Sequence, residues 1–286
     1  MVVYACRRGE RIRQENDGKE SRTMRGLGTI INVSAIIAGG ILGMLFGKKL
    51  EDRYRETGQM RRSIMEETRI IELKESIFAD NDREAEKLRA QLKEKGVFLI
   101  NLMSSPGSGK TTTLLRTIES LKDEMKIGVM EADIDSSVDA DAIAQTGVKT
   151  IQLHTGGMCH LDAGMTRTGV EELGADGLDL LVLENIGNLV CPAEFDTGAS
   201  KNVMILSVPE GHDKPLKYPL MFSICDVLLI NKIDVLPSFD FDMDKVREYA
   251  KMRNPDIQII PVCARTGEGF GPWLDWIRES VSEWKA

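Results

Sequence analysis

The chain has 286 residues, 42% of them hydrophobic, enough to bury a sizeable core in one large domain or two small ones. Its net charge of −8 excludes sequence-independent nucleic-acid binding, which needs a basic face to displace counterions. Five cysteines (Cys6, Cys159, Cys191, Cys225 and Cys263) are scattered and odd in number, which argues against a disulfide framework and for a reducing, cytoplasmic setting.

Residues 1–26 are polar and basic, without hydrophobic periodicity, and read as a disordered arm. Leu27 to Gly47 then runs 21 residues without a charge, between Arg22 and Arg25 on one side and Lys48 and Lys49 on the other. That length fits a bilayer span, and Gly39, Gly43 and Gly47 give it a smooth helix face. Residues 27–62 are therefore read as a membrane-like apolar helix with a basic linker, a candidate membrane tether. A glycine-rich buried hairpin and a segment joined by a gene-boundary error are the alternatives. Basic residues on both flanks leave its orientation unset.

Residues 63–286 read as one α/β unit with a leading helix. Asn81-x-x-Glu84 gives a capping-box signal, Leu88 and Leu92 continue the helix, and Gly96 can end it. Seven apolar runs follow in alternation with helical patterns: Val97–Met103, Lys126–Glu131, Lys149–Leu153, Leu178–Glu184, Val203–Val208, Val227–Ile230 and Ile257–Val262. Strands that alternate with helices predict a mostly parallel sheet flanked by helices.

Directly after the first run stands Ser104-Ser-Pro-Gly-Ser-Gly-Lys-Thr-Thr112, a phosphate-binding loop. Gly107, Ser108 and Gly109 turn backbone N–H groups around phosphate oxygens, Lys110 reaches the outer phosphates, and Thr111 and Thr112 open the next helix. The pattern expects glycine where Ser104 stands. After the sixth run comes Asn231-Lys-Ile-Asp234, in which Asp234 can accept from both N1–H and the exocyclic amine of guanine. Asn231 would brace the loop, the Lys232 stem would lie over the purine, and Ala264, in Cys263-Ala-Arg-Thr-Gly267, would back the base. The nucleotide is thus expected to be GTP. Mg²⁺ prefers oxygen ligands beside phosphate, and Thr111, Asp133 and Glu184 are its expected ligands. No residue stands out as the hydrolytic base, so turnover is expected to be slow.

Cys159-His160 follows one strand and Cys191 follows another. Two thiolates and an imidazole suit Zn²⁺ or Ni²⁺ and leave the coordination sphere incomplete, to be exchanged or completed across a dimer. Isolated cysteines are also commonly buried as small hydrophobes, so the spacing leaves both readings open.

In combination, Asn101–Thr112, Cys159–Ala163, Glu184–Pro192, Asp213–Pro219 and Asn231–Asp234 resemble the HypB family of hydrogenase nickel-incorporation GTPases, over about Glu67 to the C-terminus. The resemblance implies a P-loop GTPase of the SIMIBI type that dimerises with GTP and works with other maturation proteins to deliver nickel to the large subunit of [NiFe] hydrogenase. It implies Cys159, His160 and Cys191 as metal ligands, and places Asp213–Pro219 near the switch region. Ser104 is usual in that family. The chain lacks the N-terminal Cys-x-x-Cys-Gly-Cys motif or histidine-rich tract of some members. Met24 to Met60 resembles instead the first segment of a small uncharacterised family of bacterial integral-membrane proteins. Two alternatives are kept: a nucleotide-controlled metal-binding scaffold with little turnover, and a urease-type nickel-maturation GTPase, whose Cys-Pro-His motif is absent here.

Overall fold

A computed structural model describes residues 73–133 and 142–286. The basic arm and the apolar segment Leu27–Gly47 lie outside the described residues, as does the side chain of Asp133. No helix among the described residues is long and apolar enough to cross a membrane.

In chain order the elements are α1 (Leu73–Glu94), β1 (Phe98–Ser104), α2 (Lys110–Leu121), β2 (Ile127–Asp133), β3 (Lys149–His154), α3 (Ala163–Leu173), β4 (Leu180–Glu184), α4 (Cys191–Glu194), β5 (Lys201–Ser207), α5 (Lys214–Lys217), α6 (Pro219–Ile224), β6 (Val227–Asn231), α7 (Met243–Lys251), β7 (Gln258–Pro261) and α8 (Phe270–Lys285). All seven apolar runs are strands. They form one sheet in the order β3-β2-β4-β1-β5-β6-β7, parallel throughout. β1, β4 and β6 are buried along their whole length, which is why they read as continuous apolar runs rather than alternating ones.

Alternate strand residues serve the two faces. Ile100, Val182, Val203 and Leu229 face α2 and α8, meeting Leu114, Ile118, Trp273 and Ile277. The other face carries two separate apolar clusters. Leu99, Leu181 and Leu183 pack with Leu88 and Leu92 of α1 and Val170 and Leu173 of α3. Met103, Met204 and Leu228 pack with Met221 and Phe222 of α6 and Val246 of α7. Each buried Leu, Ile or Phe contributes roughly 1.5–3 kcal/mol relative to exposure, so this layering supplies most of the driving force.

The capping-box expectation is corrected. α1 runs from Leu73 straight through Asn81 and Glu84, so Asn81 does not begin a helix. Its side chain instead donates to the Asp196 carbonyl at 2.9 Å and accepts from the Ala163 N–H at 2.9 Å, tying α1 to the start of α3. Tertiary partners for both ends of the amide outweigh its local capping preference. Gly96, at φ +68°, does end the helix, with the Val97 N–H returning to the Leu92 carbonyl. Because the sheet is parallel, every strand's C-terminal end lies along the same edge, and the chemistry-bearing loops gather there.

Candidate functional site

The phosphate loop joins β1 to α2. Gly107 (φ +75°) and Gly109 (φ +95°) take left-handed backbone, and Gly109 is also where the loop meets a neighbour: a Cβ there would lie 2.6 Å from Asn231 Nδ2. Gly109 stands at the N-cap of α2 without a side-chain cap, so the first N–H groups of the helix are left for an anion. Ser104 is buried, and its Oγ accepts from Lys110 Nζ at 3.3 Å, so a serine in the usual glycine position steadies the phosphate lysine. Thr111 Oγ1 donates to Glu184 Oε1 at 2.8 Å. The cavity here, about 600 Å³, is lined by Gly107, Lys110, Thr111, Glu131, Glu184 and Gly187 among others. Glu131 escaped the sequence reading. It sits opposite Glu184 in the β2–β4 register, and the two are 3% and 2% exposed. Its signal is Glu131-x-Asp133, an acid pair on one face of a strand end. A hydroxyl with buried carboxylates is a hard oxygen set that fits Mg²⁺.

The base-reading loops brace the phosphate loop directly. Asn231 Nδ2 donates to the Ser108 carbonyl at 2.9 Å while its Oδ1 accepts from the Ala264 N–H at 3.0 Å. Lys232, the one non-glycine residue with positive φ (+62°) among the described residues, donates from Nζ to the Gly107 carbonyl at 2.7 Å. A second cavity of about 360 Å³ opens beside these residues, lined by Thr112, Lys232, Asp234, Cys263, Ala264 and Arg265 with others. Asp234 accepts from the Cys263 thiol at 3.1 Å and from Arg265 at 2.6 Å. The thiol hydrogen bond first, then Arg265, holds its carboxyl below the usual range, so it is an ionised acceptor for a base edge.

Glu210 was also missed in the sequence; its only signal is an acid in a Pro-Glu-Gly turn after a strand. Its Oε2 accepts from Ser108 Oγ of the phosphate loop at 2.6 Å, and from Ser207 N–H and Oγ, each at 2.8 Å. Burial pushes this carboxyl up, but bonds from Ser105, Ser108 and Ser207 outweigh it and hold it below the usual range.

Cys159 and Cys191 come together across the loops after β3 and β4, with their sulfurs 2.8 Å apart. The hydrogen bond to Cys191, and then burial, push the Cys159 thiol up. His160 lies in the same turn but its ring stacks on Phe195, centroids 3.9 Å apart and planes 9° from parallel, with Nδ1 buried and lacking a hydrogen-bond partner. Among the described residues no three His, Cys, Asp or Glu side chains form a group that could hold a metal ion. One chain therefore supplies a thiol pair, and the expected third ligand is adjacent in sequence but held by an aromatic stack. Cys225 is buried beside Met221, and the His212 ring accepts the Asp242 N–H.

A phosphate loop braced by an Asn-Lys-x-Asp base loop, on a seven-stranded parallel sheet, defines a P-loop nucleotide-binding protein of the guanine-reading kind. A family model described as CobW/HypB/UreG, nucleotide-binding domain, matches residues 98–261. Hydrogenase maturation factor HypB of Azotobacter chroococcum mcd 1 is 49% identical over 215 residues, covering 74% of this chain and 70% of the relative. That of Escherichia coli K12 is 45% identical over 213 residues, covering 74% and 73%. The crystal structure of HypB from Archaeoglobus fulgidus superposes with a TM-score of 0.67 at 39% identity, over 71% of this chain and 99% of that one. HypB from Helicobacter pylori in complex with nickel gives 0.67 at 36% identity, over 71% and 96%. The chain belongs to the HypB hydrogenase maturation factors, a family of P-loop GTPases.

Proposed function

We propose that this protein is a GTP-driven nickel chaperone: it binds GTP with Mg²⁺, hydrolyses it slowly to GDP and phosphate, and assists nickel insertion into [NiFe] hydrogenase during maturation. The observation that carries this reading is the thiol pair Cys159–Cys191, 2.8 Å apart, at the sheet edge that also holds the nucleotide loops. The nickel complex of a 36% identical relative supports Ni²⁺ over Zn²⁺ as the cargo.

In the nucleotide site, Lys110 and the first N–H groups of α2 neutralise phosphate charge. Thr111, with Glu184 and Glu131 behind it, would hold Mg²⁺, joined by Asp133. Asp234 selects guanine. Phosphoryl transfer needs mostly positioning and charge stabilisation, and a partner or second subunit can complete both. In the thiol site, exposed Met158 and Val190 flank the two cysteines, an apolar rim suited to a second copy of the chain in a GTP-promoted dimer. Hydrogenase maturation proteins and the hydrogenase large subunit are the proposed onward partners. The work is placed in the cytoplasm, with residues 27–47 as a membrane tether; recovery of the full chain wholly in the soluble fraction would remove that tether.

The test pairs two variants. Cys159→Ala/Cys191→Ala should lose stoichiometric Ni²⁺ binding and keep GTP affinity, while Lys110→Ala should lose phosphate release and keep the thiol site. Unchanged metal stoichiometry in the double variant overturns the nickel assignment. Phosphate release that does not depend on Lys110, even with nickel and partner proteins, leaves a metal-binding scaffold rather than a GTPase.

A further inference from the structure

The two apolar clusters on the α1/α6 face of the sheet are separated by a line of amides. Asn101 sits on β1, the central strand, between Leu99 of one cluster and Met103 of the other, and is 1% exposed. Asn185, just past β4, is wholly buried and donates from Nδ2 to Asn101 Oδ1 at 2.9 Å. Asn101 Nδ2 donates to Asn202 Oδ1 on β5 at 2.9 Å, and Asn202 Nδ2 donates to the Ile224 carbonyl, the last residue of α6, at 3.3 Å. Every bond runs in the same direction, so each amide's orientation is fixed by the next. A leucine at position 101 would join the two clusters but leave the Nδ2 of wholly buried Asn185 without its acceptor. A buried amide chain is stable only when every member is satisfied, and a satisfied one specifies a single arrangement more sharply than apolar packing does.

Both ends of this chain belong to parts already described. At the start, Asn185 holds the loop that walls the phosphate cavity: its N–H donates to the Leu102 carbonyl, its Oδ1 accepts from the Ile186 N–H, and two residues on Gly187 packs against Pro106 of the phosphate loop. At the far end, α6 packs against α4, the short helix that begins with Cys191. The segment from Glu184 to Cys191 is therefore held twice, at its root by the first amide and at its tip through α6.

We propose that Asn101 and Asn202 are positioning residues, through which the Asn185 loop, on meeting the γ-phosphate, shifts α6 and with it the separation of Cys191 from Cys159. This rests on the assignment of the thiol pair as the metal site. It gives the nucleotide a physical route to the metal across the middle of the sheet.

The test is Ni²⁺ affinity with and without a non-hydrolysable GTP analogue, in the full chain, for wild type, Asn101→Leu and Asn202→Leu. Wild type should show a nucleotide-dependent ratio of roughly 5-fold or more, in the range of ordinary coupling between sites, and both variants should bring it below about 2-fold. GTP affinity and the nucleotide-free Ni²⁺ affinity should stay at wild-type values, which a merely structural defect would not allow. Variants that keep the wild-type ratio overturn the inference. A wild type whose Ni²⁺ affinity ignores the nucleotide also overturns it, and leaves the metal site standing. Loss of thiol-dependent Ni²⁺ binding itself would fail the earlier assignment first, and is read separately from the cysteine double variant. Should Asn101→Leu fold poorly, side-chain amide NMR of the wild type decides: the Asn185, Asn101 and Asn202 signals should move together on adding the analogue, and an unmoved Asn202 signal overturns the relay.

Discussion

The nucleotide region and the thiol region lie along one edge of the same sheet but are prepared to very different degrees. Around the phosphate loop the protein's own groups are already paired: Asn231 spans Ser108 and Ala264, Lys232 reaches Gly107, Lys110 rests on Ser104, and Thr111 rests on Glu184. Around the thiols, two sulfurs touch while the adjacent imidazole is stacked on Phe195. The difference teaches that GTP binding needs little rearrangement. In the proposed metal site, a third ligand would come from His160 leaving its stack or from another subunit. Preorganisation lets the first site take up its ligand at little cost and leaves the second free to respond to one.

The sharpest way to break the nucleotide half is Asp234→Asn. On the proposed reading the carboxylate would accept two donors from guanine, whereas an amide presents one acceptor and one donor to the same edge. GTP affinity should fall by about 10²–10³-fold, since a buried polar mismatch discriminates strongly. Xanthosine triphosphate, whose C2 carbonyl can accept from the new amide, should bind better to the variant than to wild type. Competition with a labelled nucleotide measures both, and unchanged GTP affinity would show that Asp234 does not read the base. Ni²⁺ binding at the thiols should be unaltered in the absence of nucleotide.

Gly109→Ala asks how much of the preparation is steric. At φ +95° the new residue is strained, and its Cβ would displace the Asn231 amide that bridges the two loops. The expected cost is about 1–3 kcal/mol of stability, read by urea unfolding, together with weaker nucleotide binding. Stability and nucleotide affinity equal to wild type would mean that the Asn231 bridge is dispensable.

The same contrast governs what could be read in the sequence. The parallel sheet was legible because strands buried on both faces are continuous apolar runs, and the phosphate and base loops because their spacing is set by local backbone geometry. Residues whose meaning depends on a distant partner were not legible. Asn81 carried a capping pattern and instead bridges to Ala163 and Asp196. Glu131 acquires its meaning from facing Glu184 across two strands, and Glu210 from Ser108, about a hundred residues earlier. His160 is an expected ligand beside Cys159, and its stack on Phe195 is an orientation that no local pattern announces. The amide line Asn185–Asn101–Asn202 reads in sequence as polar residues at strand positions and becomes a line only through register.

Glu210 supplies the smallest and most specific effect. Its carboxyl is held below the usual range in the folded protein, because bonds from Ser105, Ser108 and Ser207 outweigh the burial that pushes it up. A group whose folded pKa is depressed stabilises the fold above its unfolded pKa, and that contribution is lost as pH falls through the folded value. Glu210→Gln keeps the shape but cannot ionise, so its amide oxygen accepts the donors of Ser108 and Ser207 without the charge. It should therefore be less stable than wild type at neutral pH by about 1–2 kcal/mol, the worth of hydrogen bonds to a charged acceptor. The gap should narrow as pH falls below the ordinary glutamate pKa of about 4.3 and on through the depressed folded value. Urea unfolding of both proteins across that range measures it. A gap that stays constant with pH would mean that Glu210 supports the phosphate loop through shape alone. A gap that closes with acid would make its charge the tie between Ser108 and the turn that leads into α5 and α6.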